Sequence, residues 1–301
     1  MESSQVVVAL ITRENDYQAA QAAAAEAAAQ RLGTTIETIY AENDAVNQTQ
    51  QLVKIIQDPA RRPAAILVEP VGTDMLQVAK AAIGAGIGWG VLNRDPEYVS
   101  QLKNSRVPVF SINIDQEEVG RIQAQQLEVL VGTGNVLYIE GPANSGPAGL
   151  RTKGMLARKP GGIELKILKG NWTEHNAQHA VKSWLSLSTS RQLQVRAVAC
   201  QNDAMAMGAR KALTDLTEKD RDLWTSIPFL GCDGLPRTGQ EWVRTGILRA
   251  TVVTPPLAGQ ALEILVKAFR GGSLPPERTS LAPTSFPPLT SLRSQPASAG
   301  R

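Results

Sequence analysis

The sequence predicts an α/β protein of about two doubly wound parallel-sheet lobes. Three observations lead there. Short apolar runs alternate with helical segments from Val6 to Arg270, and that alternation favours parallel sheets covered by helices on both faces. The runs are continuously apolar, Val6–Ile11 and Ala64–Val68 among them, as expected of strands buried on both sides. The chain of 301 residues is too long for one ordinary core and suits about two lobes.

The elements follow in order. Val6–Ile11 reads as a buried strand, and Asp16–Leu32 as an Ala-rich helix stopped by Gly33. Thr35–Tyr40 is the next strand. Ala45–Gln57 is a helix that turns Leu52, Val53, Ile55 and Ile56 inward and stops near Pro59. Strand Ala64–Val68 precedes helix Asp74–Ala85, with Thr73 or Asp74 as its cap. Strands Trp89–Leu92 and Val109–Ile112 come next. The alternation then restarts with helix Gln116–Leu130, strand Asn135–Ile139, helix Gly149–Ala157 and strand Glu164–Lys169. It continues with helix Thr173–Leu187, strand Ala197–Cys200, helix Ala204–Leu216 and strand Phe229–Cys232. Helix Thr238–Thr245, strand Arg249–Val253 and helix Leu257–Arg270 complete it. From Ser273 the chain is rich in Pro, Ser and Thr, and its end reads as a disordered tail.

Composition narrows the function classes. Lys plus Arg number 31 and Asp plus Glu 28, a net charge of +3, which gives no electrostatic footprint for nucleic acid or an anionic membrane. No apolar run reaches the roughly 20 residues needed to span a bilayer. No basic n-region, long apolar stretch or cleavage site opens the chain. That leaves open a cytosolic protein or one whose export signal lies outside this sequence. Cys200 and Cys232 each end a buried strand and read as core thiols. His175 and His179 share a helix face at i, i+4 spacing but lack a third metal ligand and the HExxH order. Gly84, Gly86, Gly88 and Gly90 follow a helix and precede a strand, the reverse of a dinucleotide fingerprint. With two histidines on one helix, a Ser-His-Asp triad cannot be assembled. No metal, cofactor or catalysis is expected.

In open α/β sheets ligands sit beyond the C-terminal ends of the strands. That rule selects Thr12–Tyr17, Glu69, Asn93-Arg94-Asp95, Gly141–Arg151, Trp172, Asn202-Asp203, Asp233 and Thr254. They are mostly polar, with two aromatics, in a chain whose aromatic content is only 4%. Hydrogen-bonding side chains for hydroxyls, with ring faces for the C–H side of a pyranose or furanose, suit a carbohydrate. Asp203 is expected to cap the helix that follows it, leaving Asn202 for ligand.

At these residues the chain resembles the type I periplasmic binding proteins, those for ribose and galactose, and the effector domains of lactose-repressor-type regulators. The segments that carry the likeness are ITRENDYQ, YAENDAVNQTQQLVKII, VLNRDP, NSGPAGLRTKGM, GNWTEHNA, CQNDAMAMGARKAL, GCDGLP and ATVVTPP, over roughly Val6–Ser280. The resemblance implies two Rossmann-like, doubly wound parallel-sheet lobes joined by three hinge strands and closing on ligand. One lobe is residues 1–112 plus 255–273, the other 113–254 plus 274–286, with 287–301 as tail. It also implies a site. Asn15 and Tyr17 supply a hydrogen bond and a ring platform. Asn93 and Arg94 match an Asp-Arg pair, Arg151 an arginine opening a helix, and Trp172 the aromatic facing Tyr17. Asn202 and Asp233 match an amide and a carboxylate, and Glu69 and Thr254 positions that commonly hold Asn and Gln. Two departures make ribose doubtful. Asn93 replaces a carboxylate, which Glu69 either restores nearby or gives up to Arg94, and Gln18 stands where a second aromatic is common. Another sugar, a polyol or a nucleoside-like molecule remain as ligands.

The resemblance implies a monomeric solute receptor, periplasmic, that serves a membrane ABC permease or a signalling partner. The alternative is a cytosolic sensor of the repressor type. Since the first strand begins at Val6, no helix-turn-helix precedes it in this sequence, and direct nucleic-acid binding is not expected.

Overall fold

The computed structural model describes residues 5–72, 75–188, 190, 193–214, 216, 224 and 226–294. The chain forms two compact units, 1–114 with 256–281 and 115–255 with 282–301. In the first, β1 (Gln5–Leu10), β2 (Thr35–Tyr40), β3 (Ala65–Val68), β4 (Gly88–Leu92), β5 (Val109–Ile114) and β11 (Arg278–Leu281) make one sheet. Its order is β11-β5-β4-β3-β1-β2 and every pairing is parallel. Helices α1 (Asp16–Leu32), α2 (Ala45–Gln57), α3 (Leu76–Gly84), α4 (Tyr98–Leu102) and α10 (Ala258–Gly271) belong to this unit.

Residue chemistry sets these elements. Asn15 caps α1, and Gly33 ends it at φ 63°, a left-handed conformation that costs glycine nothing. Asp44 caps α2 through the Val46 and Asn47 amides. The cap expected at Thr73 or Asp74 lies outside the described residues. Of the glycine cluster, Gly84 ends α3, Gly86 makes the turn at φ 79°, and Gly88 and Gly90 lie within β4. There a side chain on Gly90 would overlap Leu67 and the Phe110 ring. The cluster is therefore a stop, a turn and a packing device. The short α4, not anticipated from the sequence, buries Tyr98 and Val99 against this sheet's core.

The second unit repeats the plan. Its strands are β6 (Gly134–Glu140), β7 (Ile163–Lys169), β8 (Val195–Cys200), β9 (Phe229–Asp233), β10 (Ala250–Val253) and β12 (Thr284–Phe286). The order is β12-β10-β9-β8-β6-β7, parallel except for β12. Its helices are α5 (Gln116–Leu130), α6 (Gly146–Arg158), α7 (Glu174–Leu185), α8 (Asp203–Thr214), α9 (Gly239–Arg244) and α11 (Leu289–Ser294). Cys200 and Cys232 are buried free thiols. Burial pushes both thiols well above their ordinary pKa. His175 and His179 are exposed on α7, and no group able to hold a metal ion occurs among the described residues.

The C-terminal segment departs from the expected division, which gives residues 274–286 to the second lobe. β11 instead completes the first sheet against β5, and only β12 joins the second, against β10. The segment after α10 thus adds one strand to each sheet, over the β5 edge and then the β10 edge, while β2 and β7 remain at the opposite edges. The expected tail from 287 also begins as structure. α11 buries Leu292 in the core formed by α5 and strands β6, β8, β9 and β10. A three-residue strand and a six-residue helix set among prolines leave no periodicity to read, which is why composition misleads there.

Candidate functional site

Both sheets reverse their winding between their first and third strands, and the polar side chains gather at those switch points. In the first unit Glu69 follows β3 directly, 5% exposed. Its Oε2 accepts from Gln18 Nε2 at 3.0 Å and Gln21 Nε2 at 3.1 Å, and its Oε1 from Asn93 Nδ2 at 2.9 Å. Gln18 Oε1 accepts from the Ile11 amide, and Gln21 Oε1 from the Leu257 and Ala258 amides. Gln48 spans the Glu69 carbonyl and the Val71 amide. Burial raises the Glu69 pKa above the usual carboxylate range; the three amide donors and the Arg94 charge pull the other way. Arg94 donates to the Val71 carbonyl at 3.3 Å. Its own pKa is lowered by burial and raised again by Glu69.

Asn93 ends β4 at φ 56°, a left-handed conformation that asparagine tolerates. The Tyr17 hydroxyl lies 3.3 Å from its Oδ1 and 3.2 Å from its Nδ2. Tyr17, Asn93 and Glu69 thus form a chain of contacts with Arg94 beside it. Asn15 stands apart from that chain, and its Oδ1 accepts from the Gln18 amide as the α1 cap.

In the second unit Gln201 follows β8 as Glu69 follows β3. It is wholly buried. Its Oε1 accepts from the Gly141 amide, and its Nε2 donates to the Tyr138 hydroxyl, the Ala148 carbonyl and the Thr152 hydroxyl. These bonds fix the loop from β6 into α6 and thereby Arg151. The Arg151 guanidinium donates to Gln116 Oε1 at 2.8 Å and to the Gln201 carbonyl, and lies 5.5 Å from the centre of the Trp172 ring. Trp172, at φ 68° after Asn171 at φ 51°, covers Gly141 so closely that any side chain there would overlap the indole.

Asn202, not Asp203 as expected, is the helix cap here. Asn202 caps α8, its Oδ1 accepting from the Met205 amide at 2.8 Å, and donates to the Trp172 carbonyl at 3.0 Å. Asp203 turns inward instead. Its Oδ1 accepts from the Thr251 hydroxyl at 2.7 Å and its Oδ2 from the Gly234 amide at 2.8 Å. Gly231 and Gly239 leave room for that carboxylate, since a side chain on either would overlap it. Helix capping by the preceding residue frees Asp203 to brace the turn at Asp233, whose φ is 102°. Thr254 donates its amide to the Asp233 carbonyl, and its hydroxyl oxygen is buried without a protein partner.

Within the first unit, then, Tyr17, Glu69, Asn93 and Arg94 come together. Within the second, Arg151, Trp172 and Asn202 are linked by direct contacts, as are Asp233 and Thr254. The sequence reading missed the buried glutamines that position them, above all Gln21, Gln116 and Gln201. The available signal was glutamine at inward positions of Gln116–Leu130 and of the Ala-rich helix, where an apolar residue is the norm.

The pair of switch-point sheets with polar strand ends defines a two-domain solute-binding class. The periplasmic binding protein domain model matches residues 6–273, and the chain belongs to that family. It is 29% identical over 225 residues to the xylitol-binding protein of Mycolicibacterium smegmatis. That match covers 70% of this chain and 57% of the relative, so the chain matches little more than half of that protein's length. It is 23% identical to the galactofuranose-binding protein of Escherichia coli over 92% of this chain and 86% of the relative. Among solved structures, a solute-binding protein of Actinobacillus succinogenes with bound D-allose has a TM-score of 0.80 at 20% identity. It covers 97% of this chain and 100% of that one. A Caulobacter myo-inositol-binding protein has a TM-score of 0.78 at 20% identity, over 96% of each chain.

Proposed function

We propose that this chain is a non-catalytic solute-binding protein for a neutral polyhydroxylated molecule, a sugar or polyol, serving ABC-type uptake. The side chains assigned to ligand contact are Tyr17, Asn93 and Arg94 in the first unit and Arg151, Trp172 and Asp233 in the second. Glu69 touches Asn93, Asn202 touches Trp172 and Thr254 touches Asp233, and Asn15, the α1 cap, completes the set read from the sequence.

One observation carries the reading. Arg151 is a buried guanidinium whose partners are a side-chain amide oxygen, a peptide oxygen and an indole ring, all neutral. Such a group retains donors for acceptor oxygens, and the indole supplies the apolar face that a sugar ring stacks on. A matched carboxylate at Asp233 suits hydroxyl donors. The relatives named for xylitol and galactofuranose support a ligand of this class.

The test is a thermal-shift and calorimetric screen of xylitol, D-ribose, D-allose and myo-inositol, with D-gluconate as an acidic control. At about 100 times Kd a bound solute stabilises the fold by roughly 2.7 kcal/mol. At least one neutral solute is expected to titrate one to one. Binding of the acid alone, or of none, overturns the proposal.

A further inference from the structure

Glu69 is the most enclosed carboxylate of the first unit, and its contacts are fully determined by chemistry. An ionised carboxylate only accepts hydrogen bonds. The side-chain oxygens of Gln18 and Gln21 are already committed to the backbone amides of Ile11, Leu257 and Ala258. Their NH2 groups must therefore face Glu69 Oε2, and the Asn93 atom at 2.9 Å from Oε1 must be its nitrogen. The cationic group near this carboxylate is Arg94. The other side chains that bond it, Gln18, Gln21 and Asn93, are neutral, as is Tyr17 on the far side of Asn93.

We propose that Glu69 is a positioning residue rather than a ligand contact: it turns the Asn93 amide so that Oδ1, not Nδ2, is the atom offered to solute hydroxyls. This rests on the reading that Asn93 belongs to the ligand site. Glu69 thereby makes residue 93 an acceptor and selects hydroxyl donors over solutes that present an acceptor there.

The geometry predicts a reciprocal pair of variants. In Glu69→Gln the new amide keeps its oxygen on Gln18 and Gln21, which donate, and places its NH2 against Asn93. Asn93 then flips and presents NH2 outward. Asn93→Asp alone sets two carboxylates against each other, so one proton must be shared between them. In Glu69→Gln/Asn93→Asp the introduced amide NH2 meets an acceptor, and residue 93 again offers an oxygen outward.

The experiment is calorimetric titration of xylitol, D-ribose, D-allose and myo-inositol into the full chain and these variants at pH 5 and pH 7.5, with circular dichroism of each. Glu69→Gln is expected to weaken the bound solute roughly tenfold or more, by the cost of a mispaired buried hydrogen bond. Asn93→Asp is expected to bind weakly at pH 7.5 and to recover at pH 5. The double variant is expected to return to within about threefold of the parent. Parent-like affinity in Glu69→Gln overturns the inference and leaves the site reading standing. So does a double variant as weak as Glu69→Gln, because a carboxylate needed only for folding gains nothing from the second substitution. If Asn93→Ala binds like the parent, or the parent binds none of the four solutes, the site reading falls and takes the inference with it. If Glu69→Gln does not fold, the double variant and the pH response of Asn93→Asp decide alone.

Discussion

At the scale of single residues, carboxylates and glutamines divide the labour. Glu69 and Asp203 are enclosed in their own units and brace Asn93 and the Asp233 turn respectively. The left-handed backbone at Asp233 dictates how its role is tested. Alanine at φ 102° adds backbone strain of about 1–3 kcal/mol, whereas asparagine keeps the shape and removes only the charge. Asp233→Asn is therefore expected to weaken solute binding with little loss of stability. Arg151→Ala is expected to cost about 1.5–3 kcal/mol, roughly tenfold to more than a hundredfold in Kd. Calorimetry beside chemical denaturation separates the two effects, and a variant pair that binds like the parent removes both residues from the site. Glu69 adds a pH dependence of stability. Its folded pKa is raised by burial, so in the window between the unfolded and folded values the folded state holds a proton that the unfolded state has released, and above the folded value both are ionised. Stability from this group is full below the unfolded value of about 4.3 and is lost as pH rises through the folded value. The stability of the parent minus that of Glu69→Gln should therefore fall as pH rises above about 4.3; a flat or rising difference in urea titrations would count against it. The strand-end rule selected Glu69, Asn93, Arg151 and Asp233 from the sequence, and Glu69 and Asn93 are in direct contact. It could not tell which of Asn202 and Asp203 would cap α8, because both are good caps and the choice is made by Gly231, Gly239 and Thr251, distant in sequence.

At the scale of elements, α5 and α6 pack unusually closely. A side chain on Gly120 would overlap the Arg151 carbonyl, and one on Gly154 the Glu117 carbonyl. The two glycines face each other's helix backbone, and the Glu117–Lys153 and Glu117–Arg121 ion pairs lie along the same contact. Backbone, unlike a side-chain tip, cannot yield, so α6 must shift. Since α6 carries Arg151 while Gln116 and Gln201 hold it, a shift reaches the guanidinium. Gly120→Ala is expected to destabilise by about 1–3 kcal/mol and to weaken solute binding although it touches no ligand. Gly149→Ala, on α6 with open space around it, is the control and should gain a few tenths to about 1 kcal/mol from lower unfolded-state entropy. Equal effects from the two would refute the packing account. These glycines were legible only as helix-interior oddities, because close approach is a tertiary fact. The long elements, by contrast, were plain: Asp16–Leu32 is an alanine-rich run stopped by Gly33.

At the scale of the whole molecule, two sheets of the same winding account for the repeated alternation read along the chain, and the one feature that alternation could not reveal is how each sheet ends. Residues 274–294 finish both. β11 covers the edge of β5, and the Ser111 amide donates to the Glu277 carbonyl. Arg278 bonds Asp95 and Ser100, with Lys103 near Glu277. β12 covers the edge of β10, Gln126 donates to Ser285 and to the Thr251 carbonyl, and Leu292 is buried at 2% exposure. The family match ends at residue 273, so a chain cut there would keep everything that defines the family by sequence and lose an edge strand from each sheet. Burial of one leucine contributes about 1.5–3 kcal/mol, and two newly exposed edges with unpaired amides invite self-association. A chain ending at Ser273 is therefore expected to unfold at lower denaturant in both units and to self-associate. A chain ending at Ser294 keeps β11, β12 and α11 with all of these contacts and is expected to match the parent. Urea titration followed by Trp89 in the first unit and Trp184 in the second, both buried, resolves the two units in variants that keep one tryptophan. Light scattering follows association. If the chain ending at Ser273 retains both midpoints and stays dispersed, the edge strands add little and the sheets are complete without them.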